Sequence, residues 1–174
     1  WRNNPTTLLA QADSCIGSKS SVNVGPYKNQ MGTFTPPREI WISPDLLDTL
    51  PEEAFRSGIG EIIKVHIIAG WEDLRRLARD YPSLARDKEV MVRTIRRSLE
   101  IKKGKIETDV FDQGERLVMN YGHSFGHAIE SATDYGVPHG IAVTIGMEMA
   151  DFISWRFGLI GQDLFEELHP LMSS

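Results

Sequence analysis

The stretch Asn120-Tyr121-Gly122-His123-Ser124-Phe125-Gly126-His127-Ala128-Ile129-Glu130 decides how this sequence is read. His123 and His127 are four residues apart, so on a helix both imidazoles leave the same face and can reach one centre. Neutral imidazole nitrogen is a good zinc ligand, and catalytic zinc sites combine three protein ligands with an open position. Beyond His127 and a turn, His139 follows Pro138 at an expected helix start. A carboxylate is available from Glu61 in Gly60-Glu61-Ile62-Ile63-Lys64, where charged residues interrupt an isoleucine-rich helix. Burying Glu61 there is costly unless it is paired or bound to metal. The residues alone leave two readings open: a metal centre, or satisfied helix histidines beside a surface Glu61–Lys64 ion pair. His66 and His169 lack comparable neighbours and read as structural.

Working outward, the pattern is helical from Pro51 onward. Ala54, Phe55, Ile59, Ile62, Ile63, Ile67 and Ile68 form an apolar stripe over 52–69, and the same spacing recurs over 71–80 and 87–107. Further helices are expected near 116–133 and 139–158, broken by Tyr135-Gly136-Val137-Pro138, with a last short run from Gln162 that ends in Pro170 and Ser173-Ser174. If 116–133 is helical throughout, Arg116, Asn120 and His123 share a face. Before residue 50 the character changes. Residues 12–35 are rich in Gly, Ser, Thr, Asn and Lys and read as loop and short strand. Residues 39–43 alternate toward a strand, while Trp1-Arg2-Asn3-Asn4 lacks the apolar character of one. Ser43-Pro44 then looks like a cap followed by a first helical position. The expected architecture is an α/β remnant over 1–50 and an all-α domain over 51–174.

The chain has 174 residues, 41% of them hydrophobic, enough for a sizeable core. A formal net charge of −5 argues against a general nucleic-acid binder. No apolar run is long enough to span a membrane, and no signal-peptide pattern opens the sequence. A single cysteine, Cys15, excludes an internal disulfide and fits a reducing compartment. The first residue is Trp1 rather than Met, so the sequence reads as part of something larger.

Two further clusters carry charge suited to anions. Asp13-Ser14-Cys15-Ile16-Gly17-Ser18-Lys19-Ser20-Ser21-Val22-Asn23, followed by Lys28-Asn29, combines small residues with lysines and hydroxyls that can hold a phosphate. It lacks the earlier glycine of a Walker A loop, and a solvated polar loop is the alternative. Lys102, Lys103, Lys105 and Arg116 form the second cluster, with Asp109 between them.

Taken in order, Pro5-Thr6-Thr7-Leu8-Leu9-Ala10-Gln11, Asp13 through Asn23, Lys28-Asn29, Glu61 through Lys64, Asn120 through Glu130 and His139-Gly140 resemble the 3-dehydroquinate synthase family, over essentially the whole chain. The resemblance implies that Glu61, His123 and His139 bind a divalent metal, zinc or cobalt, with His127 catalytic rather than a ligand. It implies that Asp13, Lys19, Asn29, Lys64, Lys102, Arg116 and Asn120 hold the hydroxyls, carboxylate and phosphate of a sugar phosphate substrate. Thr6, Thr7, Lys28 and Thr49 match positions near an NAD cofactor. The implied activity is that of a lyase of the shikimate pathway to aromatic amino acids. It converts a seven-carbon keto-acid sugar phosphate to 3-dehydroquinate with phosphate loss. A cytoplasmic location and, at full length, a homodimer are also implied. Other readings are a different sugar phosphate cyclase, a metal-dependent alcohol dehydrogenase, or an inactive helical fragment. Departures from the family pattern are Gly17-Ser18-Lys19-Ser20 in the first loop, Val110 and Asp112 after Asp109, and Val65-His66 after Lys64. The family's glycine-rich nucleotide region, which precedes Pro5, and its C-terminal end are expected to lie outside these residues.

Overall fold

The isoleucine stripe of 52–69 forms one helix, α1 (Glu52–Ala69), and every residue from Ser57 to His66 within it is buried. Glu52 and Glu53 occupy its first turn, where negative charge complements the helix dipole. Gly70 (φ 108°) stops it, and the Gly70 N–H closes onto the His66 and Ile67 carbonyls. The computed structural model describes residues 1–25 and 27–173, the side chains of Asn23, Lys28 and Asn29 excepted.

Around α1 pack α2 (Trp71–Asp80), α3 (Lys88–Thr108), α5 (His139–Arg156) and α6 (Gln162–Met172), and α5 also carries α4 (His123–Ala132). Asp87 caps α3, its carboxylate accepting from the Glu89 and Val90 amides at 2.9 and 3.2 Å. The core joins Ile62 and Ile63 of α1 to Leu74, Leu77, Met91, Ile95, Val143 and Met147.

The opening segment contributes two small sheets. β1 (Arg2–Asn3) pairs in parallel with β4 (Glu39–Ile40), in register Arg2↔Glu39. β2 (Lys19–Val24) pairs antiparallel with β3 (Tyr27–Phe34), in register Lys19↔Phe34, with an irregularity between Val22 and Val24. Between β1 and β2 a π-helical turn, Ala10–Ser14, packs against α1 and α3. Leu8 and Ala12 anchor it in the helical core. The fold is thus an α/β remnant followed by an all-α region. No helix among the described residues is long and apolar enough to cross a membrane.

Four expectations need correction. Residues 116–133 are not one helix. A 3-10 turn, Glu115–Asn120, ends before Gly122, whose φ of 77° breaks the path, and α4 starts at His123. A Cβ on Gly122 would meet the Val143 carbonyl and Met147, so both handedness and space select glycine there. Arg116 and Asn120 therefore do not share a helix face with His123. Polar Arg2 and Asn3 do form a strand, because parallel pairing uses backbone groups: Trp41 N–H donates to the Asn3 carbonyl at 2.9 Å. The strand expected over 39–43 is reduced to Glu39–Ile40, and Pro44–Thr49 is a 3-10 turn to which Ser43 gives no side-chain cap. Pro170 lies inside α6, which runs on to Met172.

Candidate active site

Glycines set how closely the site-bearing helices approach. A Cβ on Gly60 would strike the Gly140 carbonyl, and one on Gly140 would strike the Ser57 carbonyl, so α1 and α5 touch backbone to backbone. Gly126 does the same for α4, its would-be Cβ lying 3.0 Å from Val143 Cα. These contacts bring Glu61 in the middle of α1, His123 at the first residue of α4 and His139 at the first residue of α5 to one place. One ligand atom from each lies within 4.8 Å of the others.

Glu61 is 1% exposed. Its Oε2 accepts from the Lys64 ammonium, also buried. Its Oε1 has no hydrogen-bond partner among the described residues and lies 3.6 Å from His139 Nε2. Burial raises the Glu61 carboxyl above its ordinary range against the pull of Lys64. The surface ion pair left open by the sequence is therefore a buried one, and its free oxygen faces the histidines.

His123 Nδ1 lies 3.1 Å from the Tyr121 carbonyl, an acceptor that fixes the proton on Nδ1 and leaves Nε2 free. Burial, then the positive charge of Lys64, lowers the His123 pKa to about 4. It is therefore neutral, as a metal ligand must be. The His123 ring centroid is 5.2 Å from those of His127 and His139, and His127 is 5.9 Å from His139. His127 joins the cluster from the exposed side, its side chain 56% accessible.

Beside the histidines sits an ionic pair from two distant elements. Lys102 of α3 lies 2.9 Å from Asp13 Oδ1 and donates to the Asp13 carbonyl at 2.8 Å. Burial alone would raise the Asp13 carboxyl, but Lys102 and then Lys64 outweigh it and hold it below the usual range. Asp13, Lys64, Lys102, Glu61, His123, His127 and His139 are thus brought into one charged neighbourhood.

The remaining expected residues are placed differently. Lys19 pairs with Asp112 Oδ2 at 2.6 Å, tying the β2 strand to the loop after α3. Arg116 is buried and donates from Nη1 to the Val110 carbonyl at 3.1 Å. Asn120 is exposed at the end of its 3-10 turn. Thr7 Oγ1 accepts from the Ala10 amide at 3.2 Å, while Thr6 and Thr49 are exposed. Lys28 and Asn29 lie on β3, and their side chains fall outside the described residues. Lys103 pairs with Glu107 at the surface. His66 is buried against the Ile62 carbonyl at 2.8 Å, away from the cluster. Cys15 is buried, which pushes its thiol up to about 11.

Glu130 was given no role by the sequence, yet it is 4% exposed with Oε1 at 3.3 Å from His139 Nδ1. Its position three residues after His127 puts it on the His127 face of α4, but that spacing does not show that it meets His139 on the next helix.

Residues 58–174 match the family described as 3-dehydroquinate synthase C-terminal, and residues 1–57 match 3-dehydroquinate synthase N-terminal. The chain belongs to the 3-dehydroquinate synthase family. A 3-dehydroquinate synthase of a Synechocystis species is 42% identical over 172 residues, 97% of this chain and 48% of that protein. That of Dictyoglomus turgidum is 39% identical over 97% of this chain and 48% of its own length. The chain spans about half the length of these relatives. Among solved structures, 2-epi-5-epi-valiolone synthase from Streptomyces hygroscopicus, with NAD+ and Zn2+ bound, aligns with a TM-score of 0.86 at 27% identity. The alignment covers 99% of this chain and 50% of that one. A 2-deoxy-scyllo-inosose synthase complexed with carbaglucose-6-phosphate, NAD+ and Co2+ aligns with a TM-score of 0.82 at 25% identity, over 99% of this chain and 47% of that one.

Proposed function

We propose that this chain carries the metal- and substrate-binding part of a 3-dehydroquinate synthase. That enzyme is a phosphate-eliminating lyase that closes a seven-carbon keto-acid sugar phosphate to 3-dehydroquinate on the shikimate route. The observation that carries the reading is the convergence of Glu61, His123 and His139 from three helices around a buried, unpartnered carboxylate oxygen. One anionic oxygen facing two imidazoles suits a divalent ion such as zinc or cobalt, so the donor set fits the group. Glu61, His123 and His139 would hold the ion, which when bound polarises substrate hydroxyl and carbonyl oxygens on which charge develops.

The surrounding residues supply the rest. Lys64 and Lys102 bring two ammonium groups to the rim of the cluster, where they hold substrate oxygens and offset a phosphate dianion. Asp13, kept ionised by the same lysines, accepts hydrogen bonds from substrate hydroxyls. His127 is the exposed histidine of the group, placed to pass a proton between the reacting sugar and solvent. Arg116 presents a planar fork suited to a carboxylate, and Asn120, Lys19 and Asn29 complete the substrate contacts.

NAD would meet this chain at Thr6, Thr7, Lys28 and Thr49. Thr6 and Thr7 follow β1, on the carboxyl side of one strand of the parallel pair, where open α/β sheets receive ligands, and Thr49 ends the 3-10 turn Pro44–Thr49. NAD supplies a hydride acceptor that is regenerated within each turnover. We divide the chain at residue 50 into the end of the nucleotide domain and a helical metal domain. A cytoplasmic location and a homodimer at full length belong to the same proposal.

Metal content of the purified chain, by elemental analysis, tests the reading. We expect about one zinc or cobalt per chain, as for a three-ligand site, lost in His123→Ala and in His139→Ala. Stoichiometric metal retained in His123→Ala would sink the assignment.

A further inference from the structure

His139 sits between two buried carboxylates. Its Nε2 lies 3.6 Å from Glu61 Oε1, and its Nδ1 lies 3.3 Å from Glu130 Oε1. Glu130 reaches this position from the third turn of α4, because Gly126 lets α4 lie against the α5 backbone at Val143. At 4% exposure, a carboxylate is costly to bury without a charged or donor partner. The other candidate ligand is held in the same manner, His123 Nδ1 resting 3.1 Å from the Tyr121 carbonyl. Both rings are therefore gripped at Nδ1, one by a neutral carbonyl and the other by a carboxylate.

We propose that Glu130 is a positioning residue for the metal centre, which fixes the proton of His139 on Nδ1 and turns Nε2 toward Glu61. The inference rests on the reading of Glu61, His123 and His139 as the ligand set. A carboxylate behind a ligating imidazole fixes its tautomer and ring orientation and raises its basicity as a ligand. Nothing in the HxxxH spacing points to this residue, since it binds through His139 on the next helix. Its second imidazole neighbour is His127, whose Nε2 is 4.0 Å from Glu130 Oε2. One carboxylate therefore braces the ring assigned to the ion and borders the ring assigned to proton transfer.

The test uses the full chain labelled with 15N-histidine, together with cobalt(II) titration read by visible absorption. In the wild type, ring nitrogen shifts should place the His139 proton on Nδ1. Glu130→Ala should move it toward Nε2 and weaken cobalt binding roughly ten- to a hundred-fold. Glu130→Gln, whose amide oxygen still accepts a hydrogen bond, should fall between the two, and it carries the test should Glu130→Ala not fold. Unchanged tautomer and unchanged affinity in these variants would overturn the positioning role while leaving the ligand set intact. A titration that takes up a second ion, lost in Glu130→Gln, would also overturn it. His127, Glu130 and His139 would then be ligands themselves, for their donor atoms also lie within 4.8 Å of one another. A wild-type chain that takes up no cobalt, or a His139→Ala variant that binds it equally well, would overturn the ligand set and this inference with it.

Discussion

The amide of Gly140 donates to the Ser57 hydroxyl at 2.8 Å, and the absent side chain lets α5 rest on the Ser57 carbonyl of α1. No rotamer change relieves a Cβ pressed into a backbone oxygen, so Gly140→Ala must push the helices apart. We expect a loss of about 1–3 kcal/mol, typical of overpacking, in a denaturant melt. Cobalt binding should weaken as well, because Glu61 and His139 ride on these two helices. Full stability with weakened cobalt binding would show that the contact aligns the ligands without stabilising the fold.

Removing Lys102 leaves the Asp13 carboxylate, only 14% accessible, with one fewer partner. Lys102→Met should cost about 3–5 kcal/mol, as when one member of a buried ion pair is lost. The double variant Lys102→Met, Asp13→Asn should lose less than the sum of the two single changes. Additive losses in a thermal melt would show that the two groups do not depend on each other.

His66 gives the chain a stability that depends on pH. Burial lowers its pKa below the ordinary 6.5, against the hydrogen bond that its Nδ1–H donates to the Ile62 carbonyl. The unfolded chain therefore takes up a proton at about pH 6.5 while the folded chain resists until lower pH. His66's contribution is complete above that pH and is lost as pH falls toward the folded pKa. Melting temperatures of wild type and His66→Gln should converge as the pH is lowered. Parallel curves would show that His66 is protonated equally well in both states.

Lys19 and Asp112 form a bridge whose lysine side is 46% accessible. Exposed pairs contribute about 0–1 kcal/mol, so Lys19→Ala should leave the melting temperature nearly unchanged. In an extended chain that binds the sugar phosphate, the same change should weaken that binding. A large fall in stability would make Lys19 a structural tie rather than a substrate contact.

Helix existence was legible because apolar periodicity runs through α1, α3 and α5 without interruption. The break at Gly122 was not, since a left-handed glycine between two helical turns leaves the apolar spacing intact. Arg2–Asn3 was missed because a two-residue parallel strand is specified by its partner's backbone and too short to show alternation. At the site, the residues alone grouped His123 with His127 and offered His139 and Glu61 beside them, and the family resemblance chose Glu61, His123 and His139 as the ligand set and set His127 apart. Glu130 could not be read at all without knowing that the end of α4 meets the start of α5. Arg116 looked like a neighbour of His123 only under an unbroken helix.

The three candidate ligands come from α1, α4 and α5, so the first and last are separated by more than a third of the chain. An ion held by all three would act as a cross-link closing a long loop, and such closures restrict the unfolded ensemble more as the loop grows. Chelation would then remove more than a Lewis acid. It would release a fastener between helices that otherwise meet through glycine contacts and apolar packing, and leave a looser chain with the same sequence of elements.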